Sequence, residues 1–366
     1  MAQRKVKPIR APLPTAAPAA TVLEFPAVRS GSTPRLKPAP DAGPASVTLV
    51  AAIGNVAGDV CWRIAHGYGA KYVMVPEYRW GGYLRACSVQ LRELGLRPRP
   101  ISARGPDRAG ETVTEHMKRA GLDVRWLRTV RAPTRVAHVL EHGEERTILI
   151  EKKPFARLQP ALLDERPLRD CDVWCAGGTL DPMGPDDPVL NRLAALARSL
   201  DKRLCVNPSR INDLRGVDLS GAAVVQVSED DRPALGFSLQ APAAEVADAF
   251  LRQGAAAVIV TAGPGPVRGF TADGRSAVVP AIPVGSAPDA RRRRPGTRTF
   301  PTGPGDCVSA VHAWALLIER LDLYTALNYG VAAGHNWVTH GRPATADTIR
   351  ALARSMPAER RFRNAA

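Results

Sequence analysis

The amino-acid sequence predicts an α/β fold: a central, mostly parallel sheet covered by helices on both faces, with a small antiparallel sheet beside it. Three observations predict it. Short apolar runs that end in polar or glycine residues alternate with stretches of helical spacing. Two other regions show strand alternation or a hairpin pattern instead. Hydrophobic residues make up 45% of 366, enough for a large core.

In chain order, residues 1–45 are rich in Pro, Ala and basic residues without a sustained period, and predict a disordered basic tail. The folded domain, 46–356, begins at SVTLVAAIGNVAGD (46–59), an apolar strand running into a Gly/Asn turn. AKYVMVPEYRW (70–80) alternates, and 134–152 reads as two runs joined at His142–Glu145, a hairpin. These strands predict a flap over the ends of the main sheet. Buried strands are then expected at CDVWCAGG (171–178), RLCVNP (203–208), AAVVQVSE (222–229) and AAVIVTAG (256–263). Helices are expected at 188–200 and 241–254. In such sheets ligands bind at the carboxyl ends of the strands, where the polar endings gather. Residues 357–366 form a second basic tail.

Most of the net charge of +15 sits on residues 1–46, on Arg291, Arg292, Arg293, Arg294 and Arg298, and on 350–366, so the body is near neutral. Basic tails bind polyanions through salt-sensitive contacts, but solvated charge is the simpler reading and a nucleic-acid partner is not expected. The six cysteines form no C-x-x-C pair, which suits buried thiols in a reducing compartment. No apolar run approaches the ~20 residues that span a bilayer. The basic start lacks an apolar h-region, so the expectation is a cytoplasmic protein.

PTGPGDCVSAVHAWALLIER (301–320) carries the chemistry. The first turn of a helix has N–H groups without intrahelical partners, and the helix dipole adds positive charge there. Gly303 and Gly305 let a phosphate approach that backbone, and Asp306 on the same turn can take a proton from an incoming hydroxyl. An ordinary loop before a core helix is the competing reading. CVSAVHAWALLI is apolar almost all round, as in a helix buried at a domain centre.

From about residue 47 to 355 the sequence resembles the PfkB-type, ribokinase-like carbohydrate kinases. TGPGDCVSA is similar to the family's C-terminal signature. The resemblance implies Asp306 as catalytic base, with the amides at 303–307 as an anion hole. VTAGPGPVRGF (260–270) resembles the nucleotide-binding strand and turn, with Thr261, Gly263 and Gly265 in the matching places. VSEDDRPAL (227–235) resembles the segment that helps to hold magnesium and phosphate, with Ser228 and Asp231 where relatives have Asn and Glu. GGYLRACSVQLRELG (81–95) resembles the glycine pair and helix facing the sugar, Gly81 and Gly82 being that pair. Asp59, in GNVAGD, lines up with a residue that binds sugar hydroxyls, and Asn328 with one near the adenine. GPDRAGE (105–111) matches a Gly-Asp…Gly turn in which Asp107 orders the chain. The resemblance implies a three-layer sandwich with a β lid, ATP and Mg2+ as cofactors, Asp231 meeting magnesium through water, and a sugar as partner. Lids of this type sometimes pair, leaving monomer and homodimer both open.

The sequence also departs from the pattern. Pro304 removes one amide from the anion hole while fitting the first position of a helix. Phe300 stands where relatives have an Asp near a monovalent cation, and Ala86 where they have a sugar-binding Asn. His335 and His340 have no metal spacing, and Trp62, Trp174 and Trp314 read as core. Three functions are therefore weighed: a sugar kinase, a kinase fold that binds nucleotide or sugar without turnover, and a polyanion binder acting through the tails.

Overall fold

The computed structural model describes residues 48–54, 57–68, 71–142, 145–150, 154–178, 188–208, 218–283, 299–300 and 302–356. The expected tails at 1–45 and 357–366 and the arginine run at 291–294 lie outside the described residues.

The chain opens with the buried strand β1 (Leu49–Gly54), then β2 (Ala57–Tyr68), β3 (Lys71–Gly81), α1 (Tyr83–Glu93), β4 (Arg97–Arg104), α2 (Arg108–Arg119) and β5 (Leu127–Thr129). The hairpin β6 (Val136–His142) and β7 (Glu145–Ile150) follows, then the short α3 (Glu165–Arg169). The second half alternates: β8 (Val173–Gly177), α4 (Pro188–Ser199), β9 (Arg203–Asn207), β10 (Ala222–Ser228), a 3-10 turn at Glu229–Leu235, α5 (Ala243–Arg252) and β11 (Ala257–Thr261). After β12 (Val267–Thr271) and β13 (Ser276–Val279) come α6 (Pro304–Ala313), a π turn at Trp314–Ile318, α7 (Leu323–His340) and α8 (Ala346–Ser355).

The main sheet has nine strands in the order β13-β12-β11-β10-β9-β8-β1-β4-β5. It is parallel from β11 to β5, with β12 and β13 antiparallel at one edge. Alternate residues feed two cores. Val50, Ala52, Cys175, Cys205 and Ile259 pack on the face covered by α1, α6 and α7. Ala51, Ile53, Trp174, Leu204 and Val258 pack on the face covered by α4 and α5. That alternation is what a sheet sandwiched between helix layers requires. The described cysteines are buried, and burial pushes the Cys205 thiol up to about 12, which makes it unreactive.

The lid is a separate four-stranded sheet, β3-β2-β6-β7. The hairpin closes with His142 opposite Glu145, as the pattern predicts. β2 pairs antiparallel with β3 and parallel with β6, and this central strand is the one the sequence concealed. Its stretch reads as a turn after β1 because glycines and charges interrupt the alternation; partners on both sides nevertheless hold it as strand. β4 carries prolines at 98 and 100, which would argue against a strand. They are accommodated because β5 pairs only from Ser102 onward, so Pro98 and Pro100 leave no ladder bond unmade on that side.

Candidate active site

The strand ends converge where the chain order reverses. After β1 the chain builds β4 and β5 on one side, then returns to place β8 on the other. Gly54 at the end of β1 is in register with Gly177 at the end of β8, and Gly177 with Asn207 at the end of β9. This topological switch point is where open α/β sheets bind ligands.

α6 starts at that edge. Gly303 caps it at φ 96°, a left-handed conformation that disfavours any side chain, and a Cβ there would stand 3.0 Å from the Trp337 ring. Trp337 Nε1 donates to Thr302 O at 2.9 Å, fixing the approach. Pro304 takes the first helical position, and Cys307 N–H closes the first intrahelical bond onto Gly303 O at 3.1 Å. This corrects the expectation that the Cys307 amide belongs to an anion hole: it is spent within the helix. The N–H groups of Gly305 and Asp306 precede that first bond, and a Cβ at Gly305 would meet nothing within 4 Å. Open space beside an exposed helix start is what an anion needs.

Two interior residues hold this turn. Asn207 Nδ2 donates to Asp306 Oδ1 at 3.5 Å. Gln226 on β10, 2% exposed, donates from Nε2 to Gly305 O at 2.9 Å and faces His312 Nδ1 through Oε1 at 2.8 Å. With its nitrogen committed to Gly305, Gln226 Oε1 can only accept, so His312 carries its proton on Nδ1. Burial pushes His312 down to about 3, so the ring is neutral. One rigid peptide unit carries both the Gly305 carbonyl and the Asp306 N–H. Gripping that carbonyl from inside aims that amide the opposite way. Neither Asn207 nor Gln226 was identified from sequence; the signal was a polar residue within or ending an otherwise apolar strand.

Ser228 ends β10 and is paired with Thr261 at the end of β11. Ser228 Oγ accepts from Asp230 N, and Asp231, 4% exposed, accepts from Ser228 N at 3.3 Å, so both brace the start of the 3-10 turn. Thr261 Oγ1 donates to Val227 O. Gly263 and Gly265 lie in the tight turn that follows, closed by Gly265 N to Ala262 O at 2.7 Å. Asn328 lies on α7, its Nδ2 donating to Tyr324 O one turn back.

On the lid side, Asp59 lies near the start of β2, in the lid sheet and not at the end of the first strand where the sequence reading had it. Its carboxylate occupies the place a Cβ on Gly81 would take, so a side chain at 81 would force Asp59 to move. Gly82 starts α1, and Tyr83 OH meets Ser309 Oγ at 3.4 Å, one turn beyond Asp306. The helix start with Asp306 and the glycine pair beneath Asp59 are thereby brought together. Asp107 caps α2 through Gly110 N and also accepts from Thr134 N and Oγ1, each at 2.7 Å, so it orders its turn as expected. Burial raises the Asp107 carboxyl, but these hydrogen bonds outweigh it and hold it below the usual range.

A family model described as pfkB family carbohydrate kinase matches residues 47–349. The chain belongs to this family. No curated protein matches it. Among solved structures it is similar to a putative ribokinase II from E. coli, with TM-score 0.66 and 19% identity over 85% of this chain and 100% of that one. It is also similar to ribokinase from Thermotoga maritima, with TM-score 0.64, 17% identity, 84% of this chain and 100% of that one. A third match is Arabidopsis thaliana ribokinase complexed with ribose and ATP, with TM-score 0.65, 15% identity, 85% of this chain and 100% of that one. At these identities the likeness shows the fold.

Within the pfkB fold the departures have physical explanations. Ala86 is 2% exposed in the core of α1 and offers no polar atom to a sugar. Phe300 is packed by its ring over Gly341, where a Cβ would come within 2.6 Å, and its side chain has no oxygen to offer a cation. Trp174 and Trp314 are core, and His335 meets Ile282 O through Nδ1. Among the described residues no group of three or more His, Cys, Asp or Glu could hold a metal, and no helix is long and apolar enough to cross a membrane.

Proposed function

We propose that this chain transfers a phosphoryl group from ATP to a hydroxyl of a sugar or sugar-like small molecule. The observation that carries the reading is the open space at Gly305, ahead of the first bond of a buried helix and beside the Asp306 carboxylate at the switch point. Asp306 takes the hydroxyl proton while the acceptor oxygen forms its bond to phosphorus and the bond to the ADP oxygen breaks. The amides of Gly305 and Asp306 hold the charge on the transferred group, and Gly303 shapes the turn that presents them. Thr261, Gly263 and Gly265 take the nucleotide side, with Asn328 toward the base. Asp59, Gly81 and Gly82 take the sugar, and the lid sheet excludes water.

The residues present fit ATP and Mg2+. Gly263, like Gly305, has no atom within 4 Å of its Cβ position, so backbone can approach phosphate closely at both turns. Ser228 and Asp231 supply a hydroxyl and a carboxylate, a donor set suited to a magnesium ion that keeps several waters and binds mainly to phosphates. Such an ion neutralises charge between the phosphates. Phe300 provides no carboxylate, so a monovalent cation is not part of the proposal.

The test is a magnesium-dependent ADP-release assay over sugars, sugar phosphates, sugar acids and nucleosides. Asp306→Asn is expected to lower kcat about 10³-fold with folding intact. Calorimetric binding of nucleotide or sugar without turnover on any acceptor would instead support a binder that has lost catalysis. An Asp306→Asn protein as active as the wild type would overturn Asp306 as the base.

A further inference from the structure

Resting on the kinase reading, we propose that Arg85 is a further catalytic residue: its guanidinium binds the transferred phosphoryl group in place of the amide that Pro304 removes from the start of α6. The need is set by the helix itself. Proline has no N–H, and the Cys307 amide closes the first helical bond, so the amides of Gly305 and Asp306 are what α6 offers an anion. In phosphoryl transfer the charge is spread over three equatorial oxygens. Two amides leave one of those oxygens to another donor, and a cationic donor binds it more strongly than a neutral amide does.

Packing brings Arg85 to that place. α6 lies between α1 and α7. On the α1 side Tyr83 OH meets Ser309 Oγ at 3.4 Å, and Cys307 Sγ donates to Gln90 Oε1 at 3.1 Å. On the α7 side Gly330 faces His312 and Gly334 faces Val308. α7 therefore runs antiparallel to α6 and carries Trp337 to Gly303 at the helix start. The Arg85 guanidinium lies over that same ring, 5.6 Å from its centre. An arginine rooted on α1 thus reaches past the start of α6 to a ring on α7, beside the turn that lacks an amide. Arg85 and Pro304 are half-buried and Gly305 is exposed, so cation and helix start are both open to a ligand.

The stacking also fixes the cation. Trp337 is buried and its Nε1 donates to Thr302 O, which makes the ring a rigid platform. Stacking engages a guanidinium through its face, whereas an oxyanion is met through its N–H edge, so one arginine can do both. Gly82 caps α1, and Arg85 lies in the first turn of that helix. The helix that carries the glycine pair assigned to the acceptor therefore also carries a cation for the group the acceptor receives.

The experiment measures kcat and acceptor KM in wild type, Arg85→Met, Arg85→Lys, Pro304→Ala and the double variant Arg85→Met with Pro304→Ala. Calorimetric titrations of Mg–ATP and Mg–ADP are run on each protein. Methionine keeps an unbranched side chain on the Trp337 ring, so the unfolding midpoint is expected near that of wild type. Arg85→Met should lose about 10²-fold in kcat with acceptor KM nearly unchanged, and Arg85→Lys should recover part of the loss. Pro304→Ala restores the N–H, so in that background the loss on Arg85→Met should shrink to about 10-fold. A residue that only props Trp337 would cost the same in both backgrounds. That result, or a wild-type kcat in Arg85→Met, overturns the inference and leaves the kinase reading standing. If no acceptor is phosphorylated, binding decides. A preference of wild type for Mg–ATP over Mg–ADP of about 10-fold, lost in Arg85→Met, upholds Arg85 as the ligand of the terminal phosphate and removes the kinase reading. No such preference, or one that survives the substitution, removes both. Should Arg85→Met fail to fold, Arg85→Lys alone and with Pro304→Ala decides by the same comparison.

Discussion

The two ends of the candidate site are built on opposite plans. At the α6 end the groups proposed to act are main-chain donors, held from behind by interior side chains: Gln226 grips Gly305 and His312, and Asn207 reaches Asp306. At the lid end the group proposed to act is a charged side chain, Asp59 on β2, over the glycine pair. On the proposed kinase reading, the difference follows from what each end must do. Every substrate of a phosphoryl transfer brings the same terminal phosphate, so that end can be rigid and made of backbone. The acceptor varies, so its end is made of side chains, whose identity can change without disturbing the fold.

The largest effect that could break this comparison is Gly305→Ala. The methyl would meet no protein atom, and alanine is favoured over glycine in a helix by about 0.5–1 kcal/mol, so unfolding stability should hold or rise. The same methyl would stand in the space assigned to the phosphate, and kcat/KM is expected to fall about 10²-fold. Activity and stability should thus move in opposite directions, measured by turnover and by urea unfolding. Unchanged turnover would mean that the open space at 305 is not where the phosphate sits.

Gln226→Leu is expected to act next. It strips the Gly305 carbonyl of a donor and His312 Nδ1–H of its acceptor in a buried setting, costing about 1–3 kcal/mol of stability. With the peptide between 305 and 306 no longer held, kcat should fall about 10-fold while KM for the acceptor stays near wild type. A change confined to acceptor KM would place Gln226 with the lid end and dissolve the distinction.

These residues also show what was legible. The strand series from β8 to β11, the hairpin and the α6 start were readable because each is a local pattern: a buried run, an alternation, two glycines before an acid. Gln226 and Asn207 were not, since their partners are 79 and 99 residues away and nothing local distinguishes a structural polar residue from a functional one. The Cys307 amide was misjudged because its use depends on which residue caps the helix. With Gly303 as cap, position 307 makes the first helical bond. β2 was missed because its alternation is broken and its strand character comes from two neighbours distant in sequence. Arg135 lies just ahead of a lid strand, where sequence alone does not tell a cationic side chain facing inward from one facing water.

The smallest effect concerns pH and tests whether the interior behind the α6 start is as closed to water as its burial says. His312 is neutral in the folded protein, held down to about 3 by burial, while an unfolded histidine titrates near ~6.5. A depressed folded-state value means that the unfolded chain takes up the proton first. The stability linked to His312 is therefore fully present above ~6.5 and is lost progressively as pH falls toward 3. Between pH 7.5 and 5 this amounts to about 2 kcal/mol, read as the difference in urea-unfolding slope against pH between wild type and His312→Asn. The kcat profile should show no step from His312 across this range, because the folded ring does not change charge. A wild type whose pH dependence of stability matches His312→Asn would show that water reaches the ring, and that the support behind Gly305 is softer than the lid it was contrasted with.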